Sequence, residues 1–371
     1  MSEAPKILVA GSGPGALEAT LALSGSASIA AEISLISPQT EFVYRPNSVM
    51  EPFGVVETAS YSVGEIIRHP RVQQWLGTIE RVDAAAGKAY SPEGDEFSFD
   101  ALVLATGATP TAYLPAPAIT VATPGSMDEL KSVVAEIDSG VLRNVLFTMP
   151  AGPSYPLPLY ELAVMTADRA DQKSVQQVAV GVTTPELAPL EYFGAEHSAE
   201  VSALCRELEL LVRLGQTVIA YDGERATLSD GMQIDADRVI TMPALEPSVP
   251  EGVPVDGAGF VPVDDHQLVP GTTNVYAVGD VTNRGVKQGG LASLEADAAA
   301  RAIERQLGAA ADAAPLDPIL EGILLTTRRR IPLRARVTAD GSESLPAELP
   351  SGPSQKIHSR LLAERLRELP S

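Results

Sequence analysis

The run Gly11-Ser-Gly13-Pro14-Gly15-Ala16 sets three glycines within five positions, a spacing suited to holding an anion. Gly11 permits a tight turn and Gly13 lets backbone approach a pyrophosphate. The N–H groups exposed at a helix start supply the anion site. Ala16 stands at the third glycine position of the Gly-x-Gly-x-x-Gly arrangement, which tolerates alanine, and Gly15 reads as added flexibility. The elements on either side give this spacing its meaning. Lys6-Ile-Leu-Val-Ala10 is a short apolar run of the kind buried on both faces of a parallel sheet. Leu17 to Leu23 has helix-forming composition, and Glu32 to Ile36 supplies a second strand, closing a βαβ unit. The second strand ends at Ser37, where an acidic residue is expected to hold a ribose. A serine hydroxyl bonds a ribose less strongly than a carboxylate does, and Glu41 is the nearest acidic substitute.

The chain around this motif has 371 residues, enough for two or three domains and a sizeable core. Its formal net charge of −21 repels phosphate backbones, so nucleic acid is not an expected partner. A single cysteine, Cys205, excludes an intramolecular disulfide and any mechanism that needs an internal cysteine pair. The N-terminal residues lack the long apolar region of a signal peptide, and no run of 18 apolar residues occurs. The expectation is a cytoplasmic protein. His69, His197, His266 and His358 pair with no other histidine or cysteine at metal-ligand spacing, so no metal site is expected.

Two further segments define the nucleotide. Asp100-Ala-Leu-Val-Leu-Ala-Thr106-Gly107 is a buried strand ending in a Thr-Gly turn. Asn274-Val-Tyr-Ala-Val-Gly279-Asp280 is a second apolar strand, followed by Val286-Lys287-Gln288-Gly289-Gly290 and an alanine-rich helix to Leu307. With the glycine loop, these segments resemble the FAD-binding frame of the two-dinucleotide-domain flavoprotein reductases. Glu41 to Gly54 and Pro150 to Leu162 narrow the likeness to the sulfide:quinone reductase and type II NADH dehydrogenase group, over nearly the whole chain from Lys6 to about Leu325. The resemblance implies that Gly11, Gly13, Pro14, Gly15 and Ala16 hold the FAD pyrophosphate, with Ser37 toward the ribose. It also implies that Arg45 lies along the phosphates, that Thr106 and Gly107 close over the cofactor, and that Gly279 and Asp280 hold its ribityl region. Lys287 and Gln288 precede a helix aimed at the flavin, and Lys287 is the candidate for stabilising its reduced form.

The middle of the chain reads as a second α/β unit. Leu142 to Met149 and Val175 to Val182 are strands, and Glu196 to Leu208 is a helix. Where NADH-using relatives carry a glycine-rich loop, this chain has Pro150-Ala-Gly-Pro-Ser-Tyr-Pro-Leu-Pro. Proline has no N–H to offer a phosphate, so a nicotinamide dinucleotide does not dock there in the usual way. The next strand ends in Thr183-Thr184-Pro185, without an acidic residue for a ribose. Such degenerate loops are a feature of the sulfide:quinone branch, but that branch uses paired cysteines, and Cys205 reads as a packed helix residue. Tyr155 and Tyr160 either shape a pocket over the flavin or pack as core aromatics.

Ala339 to Pro353 reads as a flexible connection. A terminal helix from about Gln355 to Leu369 sets Ile357, Leu361, Leu362, Leu366 and Leu369 on one half and Lys356, Arg360 and Arg367 on the other. It either docks on a membrane or packs on the protein's own acidic body, and the second is favoured because the helix is short and lacks an aromatic anchor. The expected fold is α/β with two Rossmann-like three-layer domains. Residues 1–118 and 247–307 form the FAD domain, 119–246 the second domain, and 308–371 a C-terminal α+β or helical segment covering the flavin and ending in the amphipathic helix. The resemblance implies an FAD-dependent oxidoreductase passing electrons from a small donor to a quinone or protein acceptor; a homodimer is compatible with it. An NAD(P)H-dependent flavin reductase and a non-catalytic FAD-binding scaffold remain the alternatives.

Overall fold

The computed structural model describes residues 4–173, 178–310, 313–338, 340–349 and 359–369. Seven α-helices occur among them. The first four are α1 (Pro14–Gly25), α2 (Val63–Ile66), α3 (Ser126–Asp138) and α4 (Leu157–Gln172). The others are α5 (Gly194–Glu207), α6 (Gly289–Gln306) and α7 (Leu362–Glu368).

Two parallel five-stranded sheets organise the molecule. The first runs, edge to edge, Val275–Ala277, Ala101–Leu104, Lys6–Ala10, Glu32–Ser37 and Val72–Leu76. Ala101–Leu104, Val275–Ala277 and most of Lys6–Ala10 are apolar and buried because both faces are covered there, while the edge strand Val72–Leu76 is largely exposed. Ile7, Val9 and Val103 share a core with α1 and α6, while Leu8, Leu102 and Leu104 share another with Val82, Ala89 and Phe99. The latter come from the antiparallel strands Arg81–Asp83 and Lys88–Tyr90 and the segment that follows Glu96–Ser98. The result is three layers, helix over sheet over sheet.

The second sheet runs Ile119–Thr120, Arg238–Thr241, Asn144–Thr148, Ala179–Thr184 and Leu211–Leu214, again all parallel. Val145, Phe147 and Val182 join a core shared with α3, α4 and α5. On the opposite face Leu146 and Val239 meet Val218, Ala226 and Leu228 of a small antiparallel sheet. The chain passes between the two sheets along the antiparallel pair Ala108–Thr111 and Ala244–Pro247, and Val275–Ala277 then returns to the first sheet.

The C-terminal part is α+β, and one stretch of it differs from its sequence reading. Ile319–Leu325, Arg330–Thr338 and Gly341–Ser344 form an antiparallel sheet. Its Leu320, Leu324 and Leu333 enter the core with α4 and α5. Gly341–Ser344 falls in the stretch expected to be a flexible connection. It is a strand because Ser344 Oγ donates to the Phe193 carbonyl (2.9 Å) and accepts from the Glu196 amide (3.1 Å), anchoring a polar segment at the start of α5. The last helix begins at Leu362, and the expected helical residues Gln355, Lys356, Ile357 and His358 lie outside the described residues.

Its apolar half is buried against the protein itself. Leu362 and Leu366 are 0% and 2% exposed in the core with α1 and α6. The buried Glu18 of α1 accepts the amides of Leu361 and Leu362 at 2.8 and 2.7 Å, satisfying the start of α7. Arg360 pairs with Asp297 at 3.0 Å, and Arg365 donates to the carbonyls of Glu65 and Ile66.

Candidate functional site

The glycine loop leaves the first sheet between its central strands and turns into α1. Gly11 has φ +126°, and a Cβ there would sit 2.1 Å from the Ala105 carbonyl oxygen, so only glycine fits. Its amide donates to Ile36 at 2.8 Å. The first helical bond of α1 is Leu17 to Gly13 at 3.1 Å, which leaves the amides of Gly13, Gly15 and Ala16 without an acceptor among the described residues. At Gly13 (φ −74°) an added Cβ would meet nothing within 4 Å. The protein's own packing does not demand glycine here, so the open face of the backbone is what a closely held phosphate group would use. Pro14 occupies the first helical position, where its missing N–H is no loss.

Gly15 has a different role from the flexibility expected of it. A Cβ there would lie 3.0 Å from Val278 Cγ2 and 3.2 Å from the Ala292 carbonyl oxygen. Gly15 lets α1 and α6 pack together, the task usually set for the third glycine of the motif, while Ala16 is simply buried beside it.

Ser37 is 0% exposed, and its hydroxyl lies 2.7 Å from Ser12 Oγ and 3.0 Å from Gln39 Oε1. It is spent on tying the glycine loop to the end of the second strand, so it cannot present itself to a ribose as expected. The exposed residue at that place is Gln39, which sequence reasoning passed over in looking for an acid. Glu41 is exposed and accepts a bond from Ser60 Oγ at 3.0 Å.

Arg45 is exposed at the start of the 3-10 segment Arg45–Phe53 and makes no ion pair among the described residues. It is near enough to Asp280 to stabilise its charge. Thr106 Oγ1 donates to the Ser248 carbonyl (2.5 Å), and Gly107, in the left-handed region at φ +72°, accepts the Ser248 amide (3.1 Å). The Thr-Gly turn therefore fastens the crossing between the two sheets.

Gly279 is left-handed at φ +75° and its amide donates to Glu295 Oε2 at 2.5 Å. Asp280 follows, half-buried, with no hydrogen-bond partner among the described residues. Burial pushes its carboxyl above the ordinary value, against the opposing pull of Lys287 and Arg45.

Lys287 is 7% exposed. Its ammonium donates to the Thr282 carbonyl and stands 4.3 Å from the Phe260 ring centre. Burial brings it down to about 8. Its charge is thus pinned beneath the Gly279–Asp280 turn, where it acts at a distance. Gln288 caps α6: its Oε1 accepts the Leu291 amide (2.7 Å) and its Nε2 donates to the Glu321 carbonyl (3.0 Å). Its side chain holds the helix start and is not free for a cofactor. Glu295 was missed altogether, because nothing in the alanine-rich helix, which also holds Asp297 and Glu304, sets it apart.

In the second sheet the proline-rich loop is occupied by backbone from elsewhere. Ser154 donates to the Gly285 carbonyl and accepts the Lys287 amide, both at 3.0 Å, forming a parallel bridge with the segment before α6. Tyr155 packs near Phe193, with ring centres 6.4 Å apart, and its hydroxyl lies close over Gly322. Burial raises its phenol, and Gln288 bonds it. Tyr160 is fully buried and bonds Glu186 Oε2 at 3.0 Å. Tyr160 is a core residue, and Tyr155 is half-buried and packs against the same core.

Glu186 directly follows the Thr183-Thr184-Pro185 strand end read as lacking an acid. It is 3% exposed, accepts Thr184 Oγ1 at 2.9 Å, and is pushed by burial to about 7. Turned inward, it is not placed to hold a ribose. Cys205 is buried and its thiol is pushed up to about 11 by burial, so it is not a reactive thiolate. Asp264 closes a turn, its Oδ1 accepting the amides of His266 (2.8 Å) and Leu268 (2.9 Å).

Residues 161–300 match the family described as pyridine nucleotide-disulphide oxidoreductase. None of the curated proteins matches the chain. Among solved structures, the sulfide:quinone oxidoreductase of the hyperthermophilic bacterium Aquifex aeolicus superposes with a TM-score of 0.73 at 19% identity, over 86% of this chain and 80% of that one. NDH2 from Plasmodium falciparum, solved in complex with NADH, gives 0.59 at 16% identity over 76% and 65% of the two chains. A chain of the Tetrahymena thermophila mitochondrial ATP synthase gives 0.70 at 12% identity over 89% and 86%. At these identities the likeness is one of fold. The chain therefore has the Rossmann-like architecture of these proteins and resembles a pyridine nucleotide-disulphide oxidoreductase, but with one cysteine. No helix among the described residues is long and apolar enough to cross a membrane.

Proposed function

We propose that this chain is an FAD-dependent oxidoreductase that passes electrons from a small donor to a quinone or protein acceptor without using a thiol. The observation that carries this reading is a convergence at the carboxyl end of the first sheet. Free amides at Gly13, Gly15 and Ala16, the unpaired Arg45 and the unbonded Asp280 come from three distant segments, and each lacks a protein partner among the described residues. In open α/β sheets that end is where dinucleotides bind.

The donor set suits FAD. The amides and Arg45 would take the diphosphate. Asp280, as an acceptor, would take ribityl or ribose hydroxyls. Bound there, the flavin supplies two-electron redox chemistry. The protein's own part is to hold the diphosphate, to orient Asp280 through the Gly279 turn, and to keep the cationic Lys287 close beneath that turn. A quinone acceptor is supported by the fold shared with a sulfide:quinone oxidoreductase. A thiol route is opposed by the single buried Cys205, and docking of a nicotinamide dinucleotide by the bridged, proline-rich loop.

The test is a visible spectrum of the purified protein followed by anaerobic additions. A flavin band is expected, bleached by sulfide or a reduced quinone and unchanged by NADH or NADPH. A colourless protein that refuses added FAD overturns the flavin assignment, and bleaching by NADH overturns the direct-donor assignment.

A further inference from the structure

Beneath the Gly279–Asp280 turn lies a buried cluster that the binding of a diphosphate does not by itself explain. Glu295 projects from the second turn of α6 with 2% exposure. One carboxyl oxygen accepts the Gly279 amide at 2.5 Å, and the other lies 3.5 Å from Arg284 Nε. Thr282 Oγ1 donates to the Gly279 carbonyl at 2.9 Å, and the Lys287 ammonium donates to the Thr282 carbonyl. Both peptide groups of Gly279 are therefore braced, and Asp280 next to it is left free to face a ligand.

The charged groups facing Glu295 are Arg284, Lys287 and Asp280, all from the segment after the strand Val275–Ala277. Arg284 in turn reaches the Asp264 carbonyl (3.3 Å) and the exposed Asp265 carboxylate (4.0 Å). From the other elements packed on α6, Glu18 of α1 is engaged with the start of α7 and Arg360 beside α7 with Asp297, while Glu321 is paired with Arg334.

We infer that Glu295 is a positioning residue for Asp280 that takes up a proton when an anionic diphosphate cofactor binds before the turn. Two things follow from the geometry. A carboxylate with so little access to water feels added negative charge with little screening, so its protonated form gains when the anion arrives. A neutral carboxyl keeps one oxygen as acceptor for Gly279, so the brace survives protonation. Burial already holds Glu295 at about 7 and Lys287 at about 8, so both respond near neutral pH, and in the same direction. The step is simple in balance: the carboxylate and one proton from the buffer become the carboxylic acid, with no electron moved.

The inference rests on the FAD reading above, and its test separates the two. Apoprotein is titrated with FAD by calorimetry at pH 7.5 in buffers of different ionisation enthalpy, and the affinity is measured from pH 6 to 8.5. Wild type is expected to take up a fraction of a proton per FAD and to bind several-fold more weakly at the upper pH. Glu295→Gln keeps an acceptor for Gly279, so it is expected to retain affinity at pH 6 within about threefold while losing most of the proton uptake. Glu295→Ala is expected to lose tenfold or more across the range. FAD binding with no proton uptake or with release in wild type, a result that needs no variant to fold, overturns the inference and leaves the FAD reading standing. Uptake unchanged in Glu295→Gln likewise overturns it. Absence of FAD binding at every pH overturns both.

Discussion

Replacing Glu186 by glutamine tests whether buried carboxyl groups set the pH response of this fold. The side chain is 3% exposed, one oxygen bonded by Tyr160 and Thr184 and the other without a partner among the described residues. Burial outweighs both hydrogen bonds and moves the group from an ordinary 4.5 to about 7. Because the folded value is raised, the native state binds more protons than the unfolded chain between those limits, and stability falls as pH rises through them. The displacement corresponds to about 3 kcal/mol of stability lost by pH 8. Glutamine keeps an acceptor for Tyr160 and Thr184, removes the charge, and leaves an amide NH2 whose cost does not depend on pH. Urea unfolding followed by circular dichroism at pH 5, 6.5 and 8 measures the difference between variant and wild type. Glu295 titrates identically in both and cancels. The expected result is a difference moving in favour of Glu186→Gln by about 2–3 kcal/mol from pH 5 to pH 8. A difference that stays flat across that range refutes the reasoning.

Two other perturbations divide packing from ligand roles. Gly11→Ala is expected to lose at least about 3 kcal/mol, from backbone strain at φ +126° together with the clash on Ala105. Gly13→Ala is expected to stay within about 0.5 kcal/mol of wild type in urea unfolding yet bind FAD at least tenfold more weakly. Removing residues 359–371 unburies Leu362 and Leu366 and is expected to lower stability by about 3–6 kcal/mol, at 1.5–3 per side chain. Co-sedimentation with anionic liposomes is expected to be equally low with and without those residues.

The legible parts of this molecule were the local ones. The runs at Lys6–Ala10 and Ala101–Leu104 declare strands covered on both faces, and the glycines between strand and helix declare the turn, because each signal spans a few residues. Gly15 was found but misjudged, since its neighbours Val278 and Ala292 lie more than 260 positions away in sequence. Ser37 and Gln288 were polar residues at the right places, but whether a polar side chain faces a ligand or its own backbone depends on partners such as Ser12 and Glu321. Glu295 and Glu186 carry no local mark at all, for their significance comes entirely from tertiary burial. The amphipathic end of the chain showed correctly that one side must be covered, and the cover proved to be α1 and α6.

The return of Val275–Ala277 to the first sheet bears on how a ribosome delivers this chain. Until that segment emerges, Ala101–Leu104 is an open parallel edge, an invitation to pair with a stranger. The second sheet, whose strands all lie between residues 119 and 241, has its full set of strands earlier, while its core still waits for Leu320, Leu324 and Leu333. A nascent polypeptide stalled near residue 250 would then carry a full second sheet beside a first sheet one strand short, and Ala101–Leu104 is the edge that a chaperone would have to shield.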